Sequence, residues 1–135
     1  MSVHEDIERV LGVRVMQLFP IGGGDINDAY RVVLDSGEAL FVKTRPHPPP
    51  GMYVREAEGL RWLGETGALT TPEVLGVDDA LLALSWIESA PRHADFDALL
   101  GRGLAALHRA GAPSFGFPED NFVGSLPQPN AALPR

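Results

Sequence analysis

Four apolar residues in a row, Ala39-Leu40-Phe41-Val42, end on Lys43. A strand that is apolar on both faces belongs inside a sheet, with cover on both sides. Side chains alternate along a strand, so Lys43 points the same way as Ala39 and Phe41. A buried ammonium is costly unless it meets a counter-charge. The next periodic segment supplies one. Met52, Glu56, Leu60 and Leu63 fall at i, i+4, i+8 and i+11, one face of an α-helix, and Glu56 is the odd charge on that stripe. Alone, either charge could reach water by extending along its own element. If the helix packs on the strand, each resolves the other's difficulty, and the two are read as a pair. Glu58 shares the opposite, charged face with Arg55, Arg61 and Glu65, which makes it the weaker partner for Lys43.

The elements around this pair follow from local signals. Ser2-x-x-Glu5 is a capping box opening a short helix that ends near Leu11, with Gly12 as its C′ residue. Val13 to Phe19 reads as a first strand. Ala29 to Leu34 reads as a second, with Tyr30, Val32 and Leu34 on one face. Asp35-Ser36-Gly37 is a hairpin turn into the third strand, Glu38 to Thr44. Four prolines between Pro46 and Pro50 exclude regular structure there. Val74 to Val77 and Leu81 to Ile87 are two further strands around a turn at Asp78-Asp79. Phe96, Leu99, Leu100, Leu104 and Leu107 then repeat at helical spacing up to Gly111. Five prolines from Pro113 onward predict an irregular tail. The expected fold is α+β: one five-stranded antiparallel sheet with a helix inserted after its third strand.

Composition narrows the function. Eleven basic and eighteen acidic residues leave a net charge of −7, which argues against a general nucleic-acid or membrane-surface binder. No apolar run approaches the roughly 18 residues of a membrane span, and the first residues show no signal-peptide pattern. With no cysteine in the chain there are no disulfides, thiolate metal sites or cysteine nucleophiles, which fits a reducing cytoplasm.

Gly22-Gly23-Gly24 sits between the first two strands. Consecutive glycines let backbone N–H groups approach an anion closely, although a tight turn alone would also account for them. A P-loop is excluded because Asp25-Ile26-Asn27 stands where its Lys and Ser/Thr would be. A dinucleotide fingerprint is excluded because a strand follows in place of a helix. Glycine-rich turn, strand, strand bearing lysine, then helix bearing glutamate is the order of the phosphate-handling half of a protein-kinase-like fold. The strand from Leu81 would then lead into a hinge, where the Ser85 carbonyl and the Ile87 N–H would meet an adenine edge. Trp86 between them serves equally well as packing.

Particular runs carry a closer resemblance. Gly22-Gly-Gly-Asp-Ile-Asn-Asp-Ala-Tyr30, Phe41-Val-Lys-Thr44, Glu56-Ala-Glu-Gly-Leu60 and Leu104-Ala-Ala-Leu-His108 resemble the fructosamine (ketosamine-3) kinase family. So do Phe115-Gly-Phe-Pro-Glu-Asp-Asn-Phe-Val-Gly124 and Pro127-Gln-Pro-Asn130, which set the family apart from aminoglycoside and choline phosphotransferases. The resemblance implies Mg2+- and ATP-dependent phosphorylation of a sugar hydroxyl on a glycated amine or protein. It implies that Gly22, Gly23 and Gly24 cover the phosphates and that Lys43 binds the α and β phosphates with Glu56 as its partner. Ser85, Trp86 and Ile87 would form the hinge. Ser85 departs from the glutamate usual in the family, a change that a main-chain contact survives. His108 matches the family's Leu-His pair, and a structural place at a helix end suits it as well.

The family's His-Gly-Asp catalytic loop and metal-binding aspartate are absent. His93-Ala94-Asp95 lacks the downstream asparagine, and Asp95 is better read as a helix N-cap. Asp95-Phe96-Asp97 and Asp120-Asn121-Phe122 lack the glycine of a metal-binding motif. No residue of the chain is therefore assigned to a metal, and the metal ligands and base are expected outside it. The expected layout is a nucleotide-binding small lobe over 1–87, a hinge over 88–94, and the start of a large lobe over 95–135. Alone, these residues are expected to transfer no phosphate and to self-associate through the apolar face around Leu100, Leu104 and Leu107. Two other readings remain: an aminoglycoside- or choline-type phosphotransferase, and a truncated, non-catalytic nucleotide-binding or interaction fragment.

Overall fold

The computed structural model describes residues 2–22 and 26–130. Its elements are α1 (Val3–Leu11), β1 (Val15–Ile21), β2 (Asp28–Leu34), β3 (Ala39–Thr44), α2 (Met52–Glu65), β4 (Val74–Val77), β5 (Leu81–Ser85), α3 (Phe96–Ala110), β6 (Asn121–Val123) and β7 (Leu126–Gln128). The first five strands form one sheet in the order β1-β2-β3-β5-β4, and every pairing is antiparallel.

The sheet is covered on both faces, and the alternation in β3 and β5 is what divides them. Leu40 and Val42 of β3, with Leu81 and Ala83 of β5, join Val32, Leu34 and Ile7 of α1 in one core. Leu82 and Leu84 join Tyr53 and Ala57 of α2 in the other, with Phe41 and Leu60 packed against them. The double-sided apolar run is thus an inner strand with a helix on each side, as expected from its sequence.

The capping box forms: the Glu5 N–H donates to Ser2 Oγ at 3.3 Å, and Glu5 Oε2 accepts from the Ser2 N–H at 2.7 Å. Gly12 closes α1 in the left-handed region, and the Val15 N–H donates back to Glu8 at 2.9 Å. Those two contacts bracket Val13 and Arg14, the residues expected to begin the first strand, and β1 starts at Val15. It also runs on to Ile21, through Pro20. An edge strand tolerates a missing N–H, and β1 is an edge.

Three further expectations are corrected. The last strand of the sheet ends at Ser85, two residues short of Ile87, because its partner β3 begins at Ala39 and Leu40 already pairs with Ser85. The buried face of α2 is Met52, Tyr53 and Ala57; Leu63 is 42% exposed. The helix is therefore turned so that Glu56 lies at the margin of its packed face. The proline-rich tail contains a hairpin, β6–β7, in which Val123 pairs with Leu126. Its strands are three residues each, too short to show periodicity, and Gly124 makes the turn at φ +63°.

The third helix has the expected bounds, but no residue of it is buried. Asp95 stands at its N-cap without a side-chain capping bond. Gly103 brings it against the loop after α2, where a Cβ would strike the Leu69 side chain. No described helix is long and apolar enough to cross a membrane.

Candidate functional site

Lys43 lies one residue from the end of β3, flanked by Ala29 of β2 and Leu82 of β5. Glu56 follows Met52 by one turn of α2. The Lys43 Nζ donates to both carboxylate oxygens of Glu56, each at 2.9 Å. The side chains are 26% and 37% exposed, so water screens the pair and its contribution to stability is about 1 kcal/mol or less. Its larger effect is geometric. Two bonds fix an otherwise flexible ammonium at one point beside the sheet.

That point borders a cavity of about 420 Å³, lined by Lys43, Glu56, Asn27, Ile26, Asn121 and Phe122 among others. The glycine-rich turn reaches it through its last residues, Ile26 and Asn27. Gly22 is exposed at the end of β1; Gly23 and Gly24 lie outside the described residues.

Two residues back along β3, about 7 Å away on the same face, Phe41 helps to form a second and more apolar cavity of about 340 Å³. Ile21, Leu84, Ser85, Trp86 and Ile87 complete it. The three expected hinge residues therefore meet at one place. The Ser85 N–H donates to the Glu73 carbonyl at 2.9 Å, and its hydroxyl accepts from the Glu73 N–H at 2.9 Å. Both groups are spent on holding the end of β5. Trp86 lies under the Arg31 guanidinium, 5.2 Å from the ring centroid, and its indole nitrogen is buried without a partner. Ile87 is 60% exposed.

Two contributions were not anticipated. Tyr53 is fully buried and donates its hydroxyl to Asn27 Oδ1 at 2.8 Å, tying α2 to the residue that leads into β2. Tyr53 follows Met52 of the apolar stripe in sequence, and a phenol buried beside that stripe needs a partner. The tail hairpin also reaches the site. Asn121 and Phe122 line the Lys43 cavity, Phe117 packs on Trp62 of α2 with ring centroids 5.3 Å apart, and a Cβ on Gly124 would crowd Ile26. Asn130 clasps the hairpin, donating to Asp120 Oδ1 at 2.8 Å, the Glu119 carbonyl at 3.0 Å and Asn121 Oδ1 at 2.7 Å. Asp120 is thereby engaged structurally. His108 is exposed on α3, beside a separate cavity with Trp62 and Leu107. Among the described residues no group of three or more His, Asp or Glu side chains is placed to hold a metal ion.

Comparison with known proteins bears on this geometry. A model of the fructosamine kinase family matches residues 2–134. A probable ketoamine kinase of Enterococcus faecium is 35% identical over 130 residues, 93% of this chain and 46% of that protein. A protein-ribulosamine 3-kinase of Arabidopsis thaliana is 35% identical over 124 residues, 87% of this chain and 37% of that protein. A crystal structure of a Thermobifida fusca protein designated a fructosamine-3-kinase superposes with a TM-score of 0.84 at 36% identity, covering 99% of this chain and 47% of that one. The chain spans less than half the length of each. With a lysine–glutamate pair beside an apolar cleft, and with a family match over nearly all its residues, the chain belongs to the fructosamine kinase family.

Proposed function

We propose that this chain supplies the ATP-binding part of a kinase that phosphorylates a sugar hydroxyl of glycated amines or proteins. The observation that carries the reading is the placement of two complementary cavities on one face of β3. The apolar one, by Phe41 and the end of β5, suits a flat heterocycle. The more polar one, at Lys43, suits a chain of phosphates. Adenine would lie against Phe41 and Leu84, with the Ser85 carbonyl and Ile87 N–H at its edge and Trp86 as packing. Lys43 would neutralise α- and β-phosphate oxygens, held by Glu56, with Gly22, Gly23 and Gly24 over them.

The described residues offer no carboxylate cluster for a magnesium ion, so none of them is given that task. We place the metal ligands and the base that deprotonates the sugar hydroxyl in the part of the relatives' length that this chain does not span. In this reading residues 1–87 form the small lobe, 88–94 the hinge and 95–135 the first part of a large lobe. A glycated protein is supported as a substrate by the name of the Arabidopsis relative, and the absence of cysteine suits a cytoplasmic setting. The exposed apolar face of α3 supports self-association of these residues taken alone.

The test is phosphoryl transfer from ATP to a fructosamine by the protein expressed from its own gene, with an aminoglycoside as comparator. Transfer to the fructosamine that is lost in Lys43→Ala is the expected result. Transfer that survives that substitution, or that prefers the aminoglycoside, overturns the reading. The 135 residues alone should transfer nothing.

A further inference from the structure

The geometry points to Asn27 as a further nucleotide-binding residue, its amide N–H groups oriented by Tyr53 to donate to a phosphate oxygen beside Lys43. The inference rests on the placement of phosphates at Lys43 given above.

Tyr53 has no exposed surface, and a buried phenol needs a hydrogen-bond partner. Its hydroxyl donates to Asn27 Oδ1 at 2.8 Å. Burial pushes the Tyr53 pKa well up, so the hydroxyl keeps its proton and remains a donor. A side-chain amide has one acceptor end and one donor end. With Oδ1 committed to Tyr53, the donor end is left, and it makes no hydrogen bond among the described residues. Asn27 borders the same cavity as Lys43 and Glu56. It also immediately precedes β2, where Ala29 stands opposite Lys43. The position calls for such a donor. Glu56 offsets much of the charge of Lys43, so an anion bound there gains from a further hydrogen-bond donor. One helix, α2, then fixes both groups: Tyr53 sets the amide and Glu56, one turn later, sets the ammonium.

The test compares ATP and adenosine binding by titration calorimetry, with melting temperature recorded for each protein. Asn27→Ala removes both ends of the amide. Asn27→Asp keeps an acceptor for Tyr53 and loses the donor. Tyr53→Phe keeps the ring and loses the orienting bond. The expected result is a loss of about tenfold or more in ATP affinity for both Asn27 variants. A smaller loss is expected for Tyr53→Phe, and unchanged adenosine binding for all three. Asn27→Ala binding ATP as tightly as the parent, whatever its melting temperature, overturns the inference and leaves Asn27 as the acceptor for a buried phenol. So does a loss confined to Asn27→Asp, which would be a field effect, or an equal loss for adenosine. Lys43→Ala separates the two levels. If it too binds ATP normally, the phosphate site itself is wrong and the inference falls with it. If only the Asn27 variants are silent, the site stands without them.

Discussion

The sheet with its two helices and the segment from α3 onward are built by opposite economies. In the first, both faces of β3 and β5 are covered, and Leu81, Leu82 and Val42 have no exposed surface. In the second, no residue of a fifteen-residue helix with regular leucines is buried, and Leu99 is 56% exposed. The periodicity of α3 is as clear as that of any element in the chain. Amphipathic pattern therefore reports that a face is made for burial, and leaves open what covers it.

The difference can be broken or sharpened by substitution. Leu82→Ala should have the largest effect, costing about 2–5 kcal/mol, since it opens a hole between α2 and the sheet. Leu99→Ala in the same protein should stay within about 0.5 kcal/mol. Denaturant unfolding measures both, and equal losses would erase the distinction. Lys43→Ala should lower ATP affinity at least tenfold while moving the unfolding midpoint little, because the ion pair is screened; calorimetry and a melt read the two quantities. Phe117→Ala removes the contact with Trp62 and should cost about 1 kcal/mol. A larger loss would mean that the segment before β6 braces α2 beyond that one contact. Ser2→Ala, which deletes a cap on the well-packed side, should also cost about 1 kcal/mol.

The smallest effect concerns pH. Burial raises the Asp78 pKa, but the Arg9 guanidinium and the N–H groups of Ala80 and Leu81 outweigh it and hold the carboxyl below its usual value of 3.8. A carboxyl depressed on folding stabilises the protein above its unfolded pKa, and that contribution is lost as pH falls through the folded one. Asp78→Asn should therefore flatten the acid side of the stability profile below about pH 4. Neutral pH should show a modest loss from the broken bond to Arg9, 2.8 Å long.

What could be read in the sequence follows the same division. Lys43 and Glu56 were legible because each is a charge on an apolar pattern, and such a conflict has few solutions. The two-sided strand, the capping box and the hairpin at Gly37 were legible because their signals are local. The rotation of α2 was not. Tyr53 and Ala57 occupy the packed face, and their sequence spacing fits that stripe as well as Glu56 fits the one expected. The tail hairpin was hidden for another reason. It is held by Asn130 reaching back to Glu119, Asp120 and Asn121, and a clasp across a loop leaves no period to detect.

The order β1-β2-β3-β5-β4 has a consequence in time. The first three strands are a meander closed by short turns, so their pairings cost little loop entropy. The pairing of β3 with β5 must close a much longer loop; Thr44 bonds the carbonyl of Ala80 across 36 positions of chain. Pairings between distant segments form late and slowly. Lys43 would then wait on a finished edge while α2 and β5 arrive together, bringing Glu56 to one end of the cleft and Ser85 to the other. Pulse-labelled hydrogen exchange during refolding should show β2 amides protected before those of β5, making the cleft the last part of the sheet to mature.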